Sequence, residues 1–135
     1  MTPGIRATDA TGESAAPGHG TSAFAVESYR VGPSAVLLAL TGELDHDSAP
    51  VLEEPLHAAL GAAGVDLVVV DCAQLSFCDS TGLNILLVGR SEALAKGIGL
   101  RLACLPRVVA RMFEITGADT VFEVHPDREQ ALEAR

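Results

Sequence analysis

The sequence predicts an α/β fold with a mixed, mostly parallel sheet, an N-terminal antiparallel hairpin and about four helices. Three observations carry that expectation. Short Val- and Leu-rich runs alternate with longer stretches whose apolar residues recur at helical spacing, the pattern of strand–helix units. Leu67-Val68-Val69-Val70 is a continuous apolar run, as in a strand covered on both faces of a sheet. Gly32-Pro33 separates two strand-like runs, where a turn would pair them as a hairpin.

Residues 1–22 are mostly Gly, Ala, Ser, Thr and Pro with scattered charge. Burial there cannot offset the entropy of ordering, so a disordered tail is expected, with one domain over residues 23–135. Phe24 and Val26 are spaced by two, as are Tyr29 and Val31, and each pair fits a half-buried strand. The pairs are out of phase, which predicts a bulge near Glu27-Ser28 or a strand that starts later. Ala35 to Leu40 is a more buried strand, and Gly42 to Ser48 a polar loop. A helix follows with Asp47 or Ser48 as N-cap and Pro50 in its first turn. Its inner face is Val51, Leu52, Leu56, Ala59 and Leu60, and Gly61 or Gly64 ends it. Pro55 should kink it or delay its start.

After the Leu67–Val70 strand, a second helix is expected from Thr81 to Lys96, with a core stripe of Leu83, Leu86, Leu87, Ala93 and Leu94 and a stop at Gly97. Leu100 to Cys104 reads as a strand. Pro106 opens a third helix with Val108, Val109, Met112 and Phe113 inward, closed by Gly117. Val121 to Val124 is a short strand, and Asp127 with Gln130 starts a last helix reaching Ala134. The order is β-β-α-β-α-β-α-β-α. Loops at the carboxyl ends of parallel strands are where such sheets place function. Asp45-His46 and Asp79-Ser80 both fall on such loops and are expected to share one surface.

Composition narrows the function. The chain has 135 residues, 48% of them hydrophobic, enough for one domain with a real core. Its net charge of -9 argues against nucleic acid or an anionic membrane as partner and favours a partner that offers Arg or Lys. Cys72, Cys78 and Cys104 are an odd number without CxxC spacing, which reads as reduced thiols and not as a disulfide frame or zinc site. No run approaches the ~20 apolar residues of a membrane span, and no apolar signal region is seen at the N-terminus. A cytoplasmic protein is expected.

Asp79-Ser80-Thr81-Gly82 is the most informative motif. It puts an acid and two hydroxyls at the mouth of a helix, where free N–H groups and the helix dipole present positive potential. Such a hydroxyl can be a cap, a nucleophile or a phosphate acceptor. As a cap it is worth ~1 kcal/mol. As a phosphorylation switch it gains about -1.5 to -2 charges. That charge is welcomed by the helix end and opposed by Asp79, so a change of binding is expected more than a change of fold. Gly42-Glu43-Leu44-Asp45-His46 reads as an acidic loop leading to a helix cap. Two acids and one His make a poor metal site. His46 as a base for Ser80 lacks a GxSxG elbow or oxyanion-hole motif around it. There is no GxxxxGK[ST] or GxGxxG phosphate loop, so no nucleotide cofactor and no enzymatic activity are expected.

Taken together, Gly42-Glu43-Leu44-Asp45-His46, then Leu75 to Leu83 and the helix from Leu105-Pro106 to Gly117 resemble the STAS-domain anti-sigma factor antagonists of bacteria. The likeness runs from about Phe24 to Ala134. It implies a STAS fold and a partner-switching role in transcription regulation, of the kind tied to stress response or sporulation. In that role the unphosphorylated antagonist binds an anti-sigma factor, a serine kinase of the GHKL type, and so releases a sigma factor. The kinase phosphorylates the antagonist and breaks the complex. A phosphatase of the protein phosphatase 2C type resets it. By position, the resemblance makes Ser80 the phosphoacceptor, and Asp45, His46, Asp79, Ser80 and Thr81 the partner-binding residues. Chemistry alone does not choose between Ser80 and Thr81. The chain departs from the plainest members in its long tail and in Cys78, where a larger apolar residue is common. The alternative function is a soluble STAS scaffold or sensor subunit of a larger signalling assembly.

Overall fold

The computed structural model describes residues 23–133; the tail expected over residues 1–22, and Ala134 at the expected end of the last helix, lie outside the described residues. Among these, the elements follow in the order β1 (Ala25–Val31), β2 (Ala35–Leu44), α1 (Ala49–Gly61), β3 (Leu67–Cys78), α2 (Ser80–Lys96), β4 (Gly99–Ala103), α3 (Arg107–Thr116), a 3-10 turn (Ala118–Thr120), β5 (Glu123–His125) and α4 (Arg128–Leu132). The sheet order is β1-β2-β3-β4-β5, with β1 antiparallel to β2 and the remaining pairs parallel. This is the architecture the alternation of patterns implies.

The sheet has two covered faces. Val68 and Val70 join the larger core with residues of α1, α2 and α3, while Leu67 and Val69 join a smaller cluster with Ala131 of α4. The same fact corrects the expected bulge in β1. Its pairing from Ala25 opposite Thr41 to Val31 opposite Ala35 has no register shift. Its apolar pairs are out of phase because they serve opposite faces: Phe24 and Val26 pack on the larger core, Val31 on the smaller one.

The irregularity lies between β2 and β3 instead. Thr41 pairs with Gln74 and Ala39 with Asp71, so β3 carries an extra residue there; Glu43 pairs with Phe77 and Gly42 with Leu75, so it carries another. Each bulge turns the strand by one position. The buried residues Cys72, Leu75 and Cys78 therefore recur every third residue, although the segment is strand throughout. Both strands outrun their expected ends. Gly42, Glu43 and Leu44 belong to β2 and not to a loop, and β3 continues from Val70 to Cys78.

The helices hold smaller corrections. Pro55 does not delay α1, which runs unbroken from Ala49 to Gly61. Ala49, not Val51, completes its buried face; Val51 is exposed. α2 starts at Ser80, and Leu94 faces solvent while Gly89 is buried. A Cβ at Gly89 would lie 2.6 Å from Leu56 Cδ2, so α1 and α2 cross where a side chain is missing. In α3, Val109 and Phe113 are buried and Val108 is exposed. β4 stops at Ala103, one residue short of Cys104. β5 is Glu123–His125 and not residues 121–124, because the 3-10 turn leads Phe122 inward to meet Phe113 with ring centroids 5.8 Å apart. Asp127 caps α4 through Oδ1, which accepts from the Gln130 N–H at 2.8 Å.

Candidate functional site

β2 and β3 end side by side, Leu44 opposite Cys78, and their loops leave from the same end of the sheet. The ladder continues one step beyond the strands: the Asp79 N–H donates to the Leu44 carbonyl at 3.1 Å. Asp79 then caps α2, its Oδ1 accepting the Gly82 N–H at 2.9 Å. Its other oxygen, Oδ2, accepts the His46 N–H at 3.1 Å. One carboxylate thus satisfies an orphan donor of a helix and pins the neighbouring loop. The structure brings Asp45, His46, Asp79, Ser80 and Thr81 onto one surface.

Gly82 makes that closeness possible. A Cβ there would lie 2.6 Å from Leu44 Cγ and 2.9 Å from the Leu44 carbonyl oxygen. Gly42 meets a double demand in β2: its φ is 101°, and a Cβ would lie 2.6 Å from the Ala23 carbonyl oxygen.

Asp45 is held by its own loop. Its Oδ1 accepts from the N–H groups of Asp47 and Ser48, each at 3.0 Å, and from the Ser48 hydroxyl at 3.1 Å. The Ser48 N–H, above all, keeps the Asp45 carboxyl below the usual carboxylate range. Ser48 occupies the N-cap position of α1 without capping it. Its Oγ accepts the Asp45 N–H at 2.8 Å, and its single proton is shared between Asp45 Oδ1 and the nearer Glu43 carbonyl at 2.7 Å. Sequence reasoning gave Ser48 only a capping role; the Asp-x-x-Ser spacing was the available signal for this turn.

Ser80 is exposed at the first position of α2, and its hydroxyl has no hydrogen bond among the described residues. His46 is exposed too, and no hydrogen bond joins its imidazole to Ser80. Thr81 is half-buried. Beneath the loop Cys78 packs as a small apolar residue; burial first, then the charge of Asp79, pushes its thiol up to about 12. Burial likewise raises Cys72. No group of three His, Cys, Asp or Glu able to hold a metal occurs among the described residues. No helix there is long and apolar enough to cross a membrane. The surface is an acidic rim around an exposed hydroxyl.

Several known proteins are similar to this chain in sequence or in fold. An anti-sigma-B factor antagonist of Bacillus subtilis is 35% identical over 95 residues, covering 70% of this chain and 84% of that protein. An anti-sigma-F factor antagonist of Mycobacterium tuberculosis is 28% identical over 102 residues, covering 75% and 80%. The crystal structure of an anti-sigma factor antagonist from Mycobacterium paratuberculosis superposes with a TM-score of 0.74 at 24% identity, over 82% of this chain and 92% of that one. The family model of the STAS domain matches residues 28–131, and with the mixed sheet and the joined loops this establishes that the chain belongs to the STAS domain family.

Proposed function

We propose that the protein is an anti-sigma factor antagonist that works by partner switching in the cytoplasm. Its unphosphorylated form captures an anti-sigma factor, a serine kinase of the GHKL type, and so releases a sigma factor. Phosphorylation of Ser80 by that kinase ends the capture, and a phosphatase of the protein phosphatase 2C type restores it. The chain is a regulator, not an enzyme.

The observation that carries this reading is the head of α2. Ser80 offers a free, exposed hydroxyl one residue past a carboxylate whose two oxygens are both committed to backbone donors. Thr81, half-buried, is the poorer acceptor, which favours Ser80 where chemistry alone is neutral. The names of the similar antagonists support the same role. Asp45, His46, Asp79 and Thr81 frame the hydroxyl as the partner-binding surface.

The test is direct. With ATP and the cognate kinase, intact-mass and peptide analysis should find one phosphate, on Ser80. Equal phosphorylation of Ser80→Ala would refute the site. Ser80→Asp should weaken kinase binding while the circular-dichroism spectrum stays that of the wild type.

A further inference from the structure

Between α1 and α2 runs a groove with a cavity of about 100 Å³, room for one branched aliphatic side chain. Leu56 and Gly89 form its floor, at the point where the two helices cross without a side chain from α2. Ile85 and Val88 form one wall, and Val88 is 55% exposed. On α2, residues 81, 85, 88 and 92 recur at i, i+4, i+7 and i+11, so they form one stripe. That stripe starts at Thr81, next in the chain to Ser80, whose own side chain is turned by about 100° around the helix.

The rim is acidic, and its charges differ in availability. Glu92 is engaged by His57 at 2.9 Å and Lys96 at 2.8 Å, which closes the far end of the groove. Glu53, on α1, has no ion pair or hydrogen bond to any described residue. Toward Ser80 follow Asp47, Asp45 and Asp79. An apolar slot with a free carboxylate beside it and further acids at its open end complements an aliphatic side chain flanked by Lys or Arg.

We propose that the anti-sigma kinase which reads Ser80 also lays a basic segment along the α1–α2 groove and seats one aliphatic side chain between Leu56 and Val88. The assignment rests on the Ser80 reading above and extends the docking surface along α2, away from the phosphorylated end. Ser80 then controls one end of a two-part contact, and the groove holds the other.

Calorimetric titration against the GHKL-type kinase that phosphorylates Ser80 tests this. Val88→Glu, at an exposed position, should fold normally and raise Kd by about tenfold or more. Glu53→Lys should weaken binding by about threefold and flatten its dependence on salt. Val108→Glu, equally exposed but on α3, should bind as the wild type does. If Val88→Glu and Glu53→Lys bind like the wild type while Ser80→Asp does not, the groove assignment falls and the antagonist reading stands. If no such kinase binds or phosphorylates the wild type, both fall. Tighter binding by Glu53→Lys would mean an acidic occupant and overturn the assignment. So would self-association of the pure protein that Val88→Glu abolishes, which would give the groove to a second copy.

Discussion

A methyl group at position 82 has nowhere to go, because Leu44 meets it with both side chain and backbone. The backbone contact cannot swing away. Gly82→Ala should therefore cost about 1–3 kcal/mol, the range for overpacking, and lower the urea midpoint accordingly. An unchanged midpoint would mean that α2 does not sit this close to β2. Asp79→Ala should cost ~1 kcal/mol as a lost cap. It should also speed amide exchange at His46, a separate loop, because the same carboxylate accepts that N–H. Cysteine chemistry is a further check. Burial raises all three thiols, so exposure decides: Cys72 and Cys78 are buried, whereas Cys104 is partly exposed. Near pH 8, iodoacetamide should modify Cys104 first and reach the other two only on unfolding; early alkylation of Cys78 would contradict its burial.

At the scale of elements, α4 is fastened by the Arg101 guanidinium, which donates to the Ala131 and Glu133 carbonyls, and by an ion pair. Asp71, only 4% exposed, accepts two hydrogen bonds from Arg128, at 2.6 and 3.0 Å, while its other oxygen accepts the Ala73 N–H at 3.0 Å. Removing the cation strands a buried carboxylate. The full penalty for a buried pair is about 3–5 kcal/mol. Arg128 is 45% exposed, so water screens part of it and Arg128→Met should cost about 1–3 kcal/mol. In a double-mutant cycle Asp71→Asn should recover part of that loss; additivity of the two changes would show that the pair is not coupled. Sequence reading did not pair Asp71 with Arg128, because nothing local links residues 57 positions apart. The elements themselves were legible wherever periodicity was intact: α2 with its Gly97 stop, α3 with Gly117, and the Leu67–Val70 run. Two bulges hid the rest of β3 by turning a two-residue period into a three-residue one. The phase slip in β1 was read as a bulge because a short pattern does not say whether its sheet is covered on one face or two.

For the whole molecule, the question is whether a phosphate at Ser80 disturbs the fold or only the surface. The site was legible as residue types on two loops. That one carboxylate joins the loops was not, since the bond from His46 to Asp79 spans 33 positions and depends on where β2 and β3 stop. This placement decides the energetics. Two unit charges ~4 Å apart repel by about 4 kcal/mol at a surface-like dielectric but only about 1 kcal/mol in water. Ser80 faces solvent, so the repulsion from Asp79 lies toward the smaller figure, and the α2 dipole returns roughly 0.3–1 kcal/mol. The terms partly cancel, since the phosphate carries about -1.5 to -2 charges and the dipole offsets only part of its repulsion. A chain already at -9 gains charge at its surface while β2 and β3, at the centre of the sheet, keep every contact. Hydrogen exchange on the phosphorylated protein should therefore change at His46, Gly82 and Leu83, the amides bonded to Asp79, and stay within about twofold across residues 35–40 and 67–72. Loss of protection in those strand segments by more than tenfold would mean that the phosphate acts by loosening the sheet. Unaltered exchange there, with kinase binding lost, is what a switch confined to the docking surface requires.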